Sequence, residues 1–261
     1  MKIITANVNG IRAAERKGFF AWMLEEDADF VCLQETKAQL EKLQDPKFHD
    51  VQGYDLYFHD AVKPGYSGTA IYAKQQYKPN AVKLGLGWPV ADTEGRYVEL
   101  DFGSFVIASL YLPSGTSGDV RQDVKFDFMK QYENYIAGIL KTKKNMVICG
   151  DWNIVHKEID IRNWKSNQKH SGCLPEERAW IDKVVTQVGL VDAFRVVNQE
   201  PDQYTWWSNF GQAWAKNVGW RIDYQMVTPE IAQTAESASI YKDQRFSDHA
   251  PLVMCYHWSV L

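Results

Sequence analysis

Several apolar runs in this 261-residue sequence end in a polar residue able to do chemistry. Asn7 closes Lys2-Ile3-Ile4-Thr5-Ala6, and Glu35 follows Val31-Cys32-Leu33-Gln34. Asp151 and Asn153 follow Met146-Val147-Ile148-Cys149-Gly150, Asp223 interrupts Arg221-Ile222-Asp223-Tyr224, and Asp248-His249 precedes the last apolar run. Taken singly, each is a cap or turn former. Brought to one edge of a sheet, they assemble a Glu, three Asp, two Asn and a His. Such an oxygen-rich donor set suits Mg²⁺ or Mn²⁺ and suits zinc poorly. Asp151 and Asn153 are two apart, so in extended chain their side chains share a face. Phosphodiester hydrolysis needs positive charge to offset the charge that develops, a base for water, and donors for the phosphate oxygens. All three kinds of group are present.

The elements that must carry them read as follows. Residues 2–7 and 29–34 are short apolar runs that predict strands, flanking an amphipathic stretch from Arg12 to Glu25. Further strands are expected at 54–58, 68–73 and 80–85, with a hairpin pairing 96–102 and 104–112 through Asp101-Phe102-Gly103-Ser104. Between Asp119 and Lys141, Val124, Phe128, Tyr132, Ile136 and Leu140 fall on one helical stripe. A strand at 145–149 precedes a helix over 175–188, opened by Pro175 with Glu176 and Glu177 at the positive end of the dipole and stopped by Gly189. Two more strands are expected near 221–227 and 252–258. No linker or low-complexity segment divides the chain, and its halves loosely repeat a strand ending in an Asn-bearing turn. A single domain of two sheets packed face to face with helices outside accounts for that pattern.

Composition sets outer limits. Apolar residues at 45% and charged residues at 24% are ordinary for a globular protein and exclude a disordered chain. No apolar run approaches the roughly 18 residues of a membrane span, and no signal-like block opens the chain, so a cytoplasmic monomer is the expectation. Of the four cysteines, three lie in apolar runs, as Cys32 and Cys149 do, and read as core thiols without zinc-like spacing. The net charge of −4 gives no global basic field for nucleic acid, but a bound divalent cation inverts the local sign where a phosphate docks.

Leu33-Gln34-Glu35-Thr36-Lys37, Gly150-Asp151-Trp152-Asn153, Gly219-Trp220-Arg221-Ile222-Asp223-Tyr224 and Ser247-Asp248-His249-Ala250-Pro251 resemble the ordered motifs of the exonuclease III family of apurinic/apyrimidinic endonucleases. The opening Asn7-Val8-Asn9-Gly10-Ile11-Arg12-Ala13 is similar to that family's first motif, and the match runs from residue 3 to about 257. The resemblance implies a four-layer α/β sandwich. It places the metal ligand on Glu35, with Asn7 supporting the metal and its carboxylates and Asp248 near the metal. Asp151 matches the carboxylate that orients or deprotonates the attacking water or protonates the leaving oxygen. Asn153 matches the amide that holds the phosphate. Asp223 and His249 match a pair in which the carboxylate fixes the ring and the imidazole meets the scissile phosphate, and Tyr111 matches a phosphate-contacting tyrosine. Whether Asp151 or the Asp223–His249 pair is the general base stays open at this point.

The same resemblance lines a pocket for an abasic sugar with Trp206, Trp220 and Ile222, with Arg221 beside them; such a pocket admits an extrahelical sugar lacking its base. The neighbouring aromatics Trp207 and Trp214 read as core. Basic residues expected to grip DNA are Lys63, Arg121, Lys125, Lys165, Lys169, Lys216 and Lys242, with Lys165 and Lys169 in the polar segment 164–172. Ser114 stands where some family members carry an Asn, and His156 and His170 fall outside the matched motifs. The function implied is Mg²⁺-dependent incision of double-stranded DNA 5′ to an abasic site, giving a 3′-hydroxyl and a 5′-deoxyribose phosphate. A neighbouring reading is a 3′-phosphodiesterase or 3′→5′ exonuclease acting on 3′-blocked ends. Non-catalytic RNA-associated regulators similar to catabolite repression control proteins lack the acidic and His motif residues kept here, and the Trp206 and Trp220-Arg221-Ile222 pocket argues against a small-molecule phosphatase.

Overall fold

A computed structural model describes residues 1–260. Fourteen strands alternate with helices along the chain: β1 Lys2–Asn7, β2 Phe30–Gln34, β3 Tyr54–His59, β4 Thr69–Lys74, β5 Ala81–Leu84, β6 Tyr97–Asp101, β7 Phe105–Tyr111, β8 Asn145–Asp151, β9 Val191–Asp192, β10 Trp206–Trp207, β11 Gly219–Trp220, β12 Asp223–Val227, β13 Ala235–Ile240 and β14 Leu252–Tyr256. Twelve of them form two six-stranded mixed sheets, ordered β13-β14-β1-β2-β4-β3 and β5-β6-β7-β8-β12-β9. Each sheet has one parallel pair at its centre, β1 with β2 and β7 with β8, and antiparallel neighbours elsewhere.

The continuous apolar runs exist because both faces of the central strands are covered. Side chains alternate between two cores. From the first sheet, Ile3, Phe30 and Cys32 enter the central layer, where Ile107, Val147 and Cys149 of the second sheet meet them. Ile4, Val31 and Leu33 point the other way, against the Ile11–Arg16 and Phe19–Glu26 helices. Met146 and Ile148 likewise turn outward to Phe128, Tyr132 and Ile136 of the Asp119–Leu140 helix and to Ile181 of the Pro175–Lys183 helix. Four layers result, helix, sheet, sheet, helix, as expected. A polar tie crosses the middle layer: Ser109 Oγ donates to Leu33 O (2.8 Å) and accepts from Gln34 Nε2 (3.0 Å).

Local differences have local causes. The expected 12–25 helix is two helices, broken at Lys17-Gly18, where Gly18 takes a positive φ of 87°. The expected 175–188 helix changes to a π-turn over Val184–Val188. β13 was not expected: Ala235–Ile240 is an edge strand with no apolar alternation. Among the described residues, no helix is long and apolar enough to cross a membrane.

Candidate active site

The strand ends do converge. Asn7 ends β1, Glu35 follows β2, and Tyr111 ends β7 beside Asp151, its parallel partner at the end of β8. Asp223 opens β12 directly opposite Asp151 in the antiparallel register. His249 reaches the same edge through a bridge to Trp206, and Ser247 Oγ fastens its segment by donating to Asn7 O (2.6 Å) and accepting from His249 N (2.9 Å).

Asn7 Nδ2 donates to Glu35 Oε2 (3.0 Å) and to Asp151 Oδ2 (2.9 Å), bridging two carboxylates from different sheets. Its own Oδ1 accepts from Asn9 N (3.0 Å), which fixes the amide orientation. Across the site, His249 Nδ1 lies 2.9 Å from Asp223 Oδ2, and Nε2 lies 3.8 Å from Asp151 Oδ2. Asp248 accepts from Asn9 Nδ2 (2.7 Å) and from Trp206 Nε1 (3.1 Å), joining the acidic rim to the aromatic wall. Asn153 N donates to Asp151 Oδ1 and its Nδ2 to Leu112 O, both at 2.9 Å. Arg96 stacks 4.6 Å from the Tyr111 ring centroid and donates to Tyr111 O (3.0 Å). Asn9, Glu35, Lys37 and Asn153 all adopt positive φ, and such backbone strain gathers at functional sites.

Burial sets the electrostatics. Burial and the facing Asp223 push the Asp151 carboxyl up to about 7. For His249, burial works against the imidazolium, but Asp223, Asp151 and Asp248 outweigh it and raise the ring to about 10. Burial, with the nearby Glu35, holds the Tyr111 phenol well above its ordinary value, so it remains a donor. Asp248 falls below its ordinary value: burial opposes this, and His249, Asn9 and Trp206 prevail.

Asp151, Asp223 and His249 cluster within 4.8 Å of one another, an arrangement consistent with divalent-cation binding through its carboxylates, since a charged imidazole ring has no lone pair to give. Asp223 Oδ1 is buried with no hydrogen-bond partner, and the Glu35, Asp151 and Asp248 carboxylates line the cavity beside it. A hard cation fits that chemistry.

Glu35, Asp151, Asp248 and His249 line a cavity of about 410 Å³ that they share with Trp206, Trp220 and Ile222, while Asp223 lies buried behind His249. Trp206 and Trp220 are register partners in the β10–β11 ribbon and meet edge-to-face with centroids 5.8 Å apart. Ser114 and Thr116 line the cavity too, and so does His170, which the motif comparison sets aside. Asn9 and Lys37, motif residues to which the resemblance gives no role, join the site: Lys37 Nζ pairs with Glu35 Oε1 (3.1 Å) and donates to Asn9 Oδ1 (2.5 Å). His156 pairs with Asp182 instead (2.9 Å). Trp207 is buried and packs on Trp214 at 4.3 Å, as core residues.

Two expectations are corrected. Arg221 is not part of the pocket lining: it is 1% exposed, and its guanidinium turns to the other side, donating to Asp160 Oδ1 (2.8 Å) and Asp192 Oδ2 (2.7 Å). Alternation along the extended segment that joins β11 to β12 sends Trp220 and Ile222 one way and Arg221 the other. Lys125 cannot grip DNA, because it is fully buried against Glu177. Arg121 is half-buried and bound to Glu94 at 2.9 Å, whereas Lys63, Lys165, Lys169, Lys216 and Lys242 are exposed.

Residues 4–249 match the endonuclease/exonuclease/phosphatase family. The chain is 40% identical to an exodeoxyribonuclease of Bacillus subtilis, covering 97% of this chain and 98% of that protein. It is 36% identical to the DNA repair nuclease APEX1 of Danio rerio, covering 97% and 81% respectively. Its fold superposes on an AP endonuclease from Archaeoglobus fulgidus with a TM-score of 0.89 and 25% identity, covering 99% of this chain and all of that one. The chain is therefore an enzyme of the exonuclease III/AP endonuclease family within the endonuclease/exonuclease/phosphatase superfamily.

Proposed function

We propose that this enzyme, acting as one domain, is a Mg²⁺-dependent DNA repair nuclease that hydrolyses the phosphodiester 5′ to an abasic site. The products are a 3′-hydroxyl and a 5′-deoxyribose phosphate. The observation that carries the reading is the junction of two parts: a carboxylate–imidazole floor and an apolar wall of Trp206, Trp220 and Ile222, in one cavity. An extrahelical sugar without its base fits against that wall, and an intact nucleotide must be unstacked and accommodated at greater cost.

Glu35 would hold the cation, with Asn7 orienting the carboxylates and Asp248 at the same rim. When bound, Mg²⁺ supplies positive charge that offsets the charge on the phosphate and the departing 3′-oxygen. Asp151, with its carboxyl near neutrality, accepts a proton from the attacking water. An imidazolium cannot take that proton, so His249 serves as a charged donor to a phosphate oxygen through Nε2, while Asp223 fixes the ring through Nδ1. Asn153 and Tyr111 add donors on the same phosphate. Water oxygen bonds to phosphorus as the P–O3′ bond breaks, the departing 3′-oxygen takes a proton from solvent water, and Asp151 returns its proton to solvent. Lys165 and Lys169, exposed beside the cavity loop, contact the backbone of the duplex.

Some 3′→5′ exonuclease or 3′-phosphodiesterase activity accompanies incision, a reading favoured by the likeness to the Bacillus subtilis exodeoxyribonuclease. The test is a duplex with one abasic site, incubated with Mg²⁺ or with EDTA beside an undamaged duplex. Metal-dependent internal incision only at the lesion, with the undamaged strands shortened at most from their 3′ ends, supports the proposal; cleavage that ignores EDTA, or none in either condition, refutes it.

A further inference from the structure

The helix Asp119–Leu140 presents Phe128, Met129, Tyr132 and Ile136 to the core, and at the end of that face nearest the cavity it presents Lys125, which is fully buried. A buried ion pair often adds nothing to stability compared with apolar residues of the same volume. What Lys125 touches suggests another role. Its Nζ donates to Glu177 Oε1 (2.5 Å) and to the main-chain carbonyl of Asn153 (2.8 Å). Glu177 Oε1 also accepts from Gln122 Nε2 (3.1 Å), and Oε2 accepts from Gly172 N (2.6 Å) and Leu174 N (3.0 Å). The pair therefore joins three segments: the long helix, the turn carrying Asn153, and the loop whose Ser171 and Gly172 line the cavity.

The loop is held without slack. Gly172 has φ +90°, and a Cβ there would stand 3.0 Å from Asn153 O and 3.1 Å from Trp220 Cζ3. Its carbonyl accepts from Val155 N (2.7 Å). Asn153 itself sits at φ 52°, in the left-handed region that asparagine enters more readily than other non-glycine residues. Lys125 holds the carbonyl of that residue, and Glu177 holds the loop that packs on it and on Trp220.

We infer that Lys125 and Glu177 are positioning residues: one buried ion pair sets both the Asn153 amide and the Gly172–Trp220 wall, although neither partner lines the cavity. The inference rests on the proposed reading of the cavity as a nuclease site. It gives the pair an effect on turnover beyond any effect on stability, since a displacement of about 1 Å in a reacting constellation costs on the order of 10²-fold.

The experiment compares wild type, Lys125→Met and Lys125→Arg on an abasic-site duplex, with the folded fraction of each measured by thermal melting. Per folded molecule, Lys125→Met is expected to lose kcat on the order of 10²-fold with KM little changed. Lys125→Arg, which keeps the charge and the N–H donors, recovers most of that loss. A loss accounted for by the folded fraction, or an Arg variant as impaired as the Met variant, overturns the inference. Should Lys125→Met fail to fold, Glu177→Gln is read the same way. In the wild type, amide hydrogen exchange at Gly172 and Leu174 must be as slow as in β8, and exchange at open-loop rates is also contradictory. Absence of incision by the wild type strikes the functional reading instead, so the two failures are distinct.

Discussion

Asp151 and Asp223 stand directly opposite one another across the β8–β12 pair, both buried, so two carboxylates share one imidazole. Like charges facing across an antiparallel pair are destabilising. Here burial, and after it the repulsion, raises the Asp151 carboxyl, and the His249 ring lies between the two acids as their common cation.

That sharing predicts a pH signature. With Asp223 replaced by Asn, His249 loses the anion on Nδ1 and its pKa falls toward the ordinary imidazole value near about 6.5. A ring with a raised pKa stays charged until the pH passes that raised value. Asp223→Asn therefore lowers kcat by about 10² to 10⁴ and adds a descending limb to the rate profile between about pH 6 and 8. Superimposable normalised pH profiles of variant and wild type would count against the assigned role of Asp223.

The aromatic wall predicts a loss of selectivity apart from a loss of chemistry. Trp220→Ala removes one of the two rings that meet at 5.8 Å. Incision at an abasic site relative to an undamaged duplex should fall on the order of tenfold, with the Mg²⁺ concentration for half-maximal rate unchanged. Equal shifts in both quantities would show that Trp220 shapes the floor of the cavity rather than its selectivity.

The ion network behind the wall predicts an acid-sensitive fold. Asp160 accepts from Arg221 and from Arg195. Burial works against its charge, but Arg221 and Arg195 together bring its pKa down to about 2. The unfolded chain binds this proton near pH 3.8. Stability of about 2 kcal/mol is therefore fully present above that pH and disappears as the pH falls through about 2. Asp160→Asn should flatten the acid limb of the stability curve, and an unchanged limb in urea titrations would contradict the assignment. Arg221→Met leaves Asp192 buried without its partner and should cost about 3 kcal/mol, much of it regained in Arg221→Met/Asp192→Leu.

The site was legible wherever an apolar run is interrupted by a polar residue. Glu35, Asp151 and Asp223 adjoin runs whose apolar members are buried, and the pairing of β1 with β2 and of β8 with β12 brings them to one edge. Charge alone does not report direction, which is why Arg221 and Lys125 were misplaced. The first is turned away by strand alternation, and the second lies on the buried stripe of its helix. His170 was missed because it reaches the cavity from a loop without periodicity, and β10 and β11 because two-residue strands leave no pattern. The interruption at Lys17-Gly18 shows how one glycine overrides an otherwise continuous amphipathic stretch.

The most direct measurement is single-turnover incision of an abasic-site duplex by Asp151→Asn, with DNA affinity measured on the same preparation. Because the substitution removes one of two facing carboxylates, the variant should fold at least as well as the wild type. The account predicts incision reduced by about 10³-fold or more, with affinity within a few-fold. Incision within about tenfold of the wild type by a folded, DNA-binding Asp151→Asn protein would contradict it.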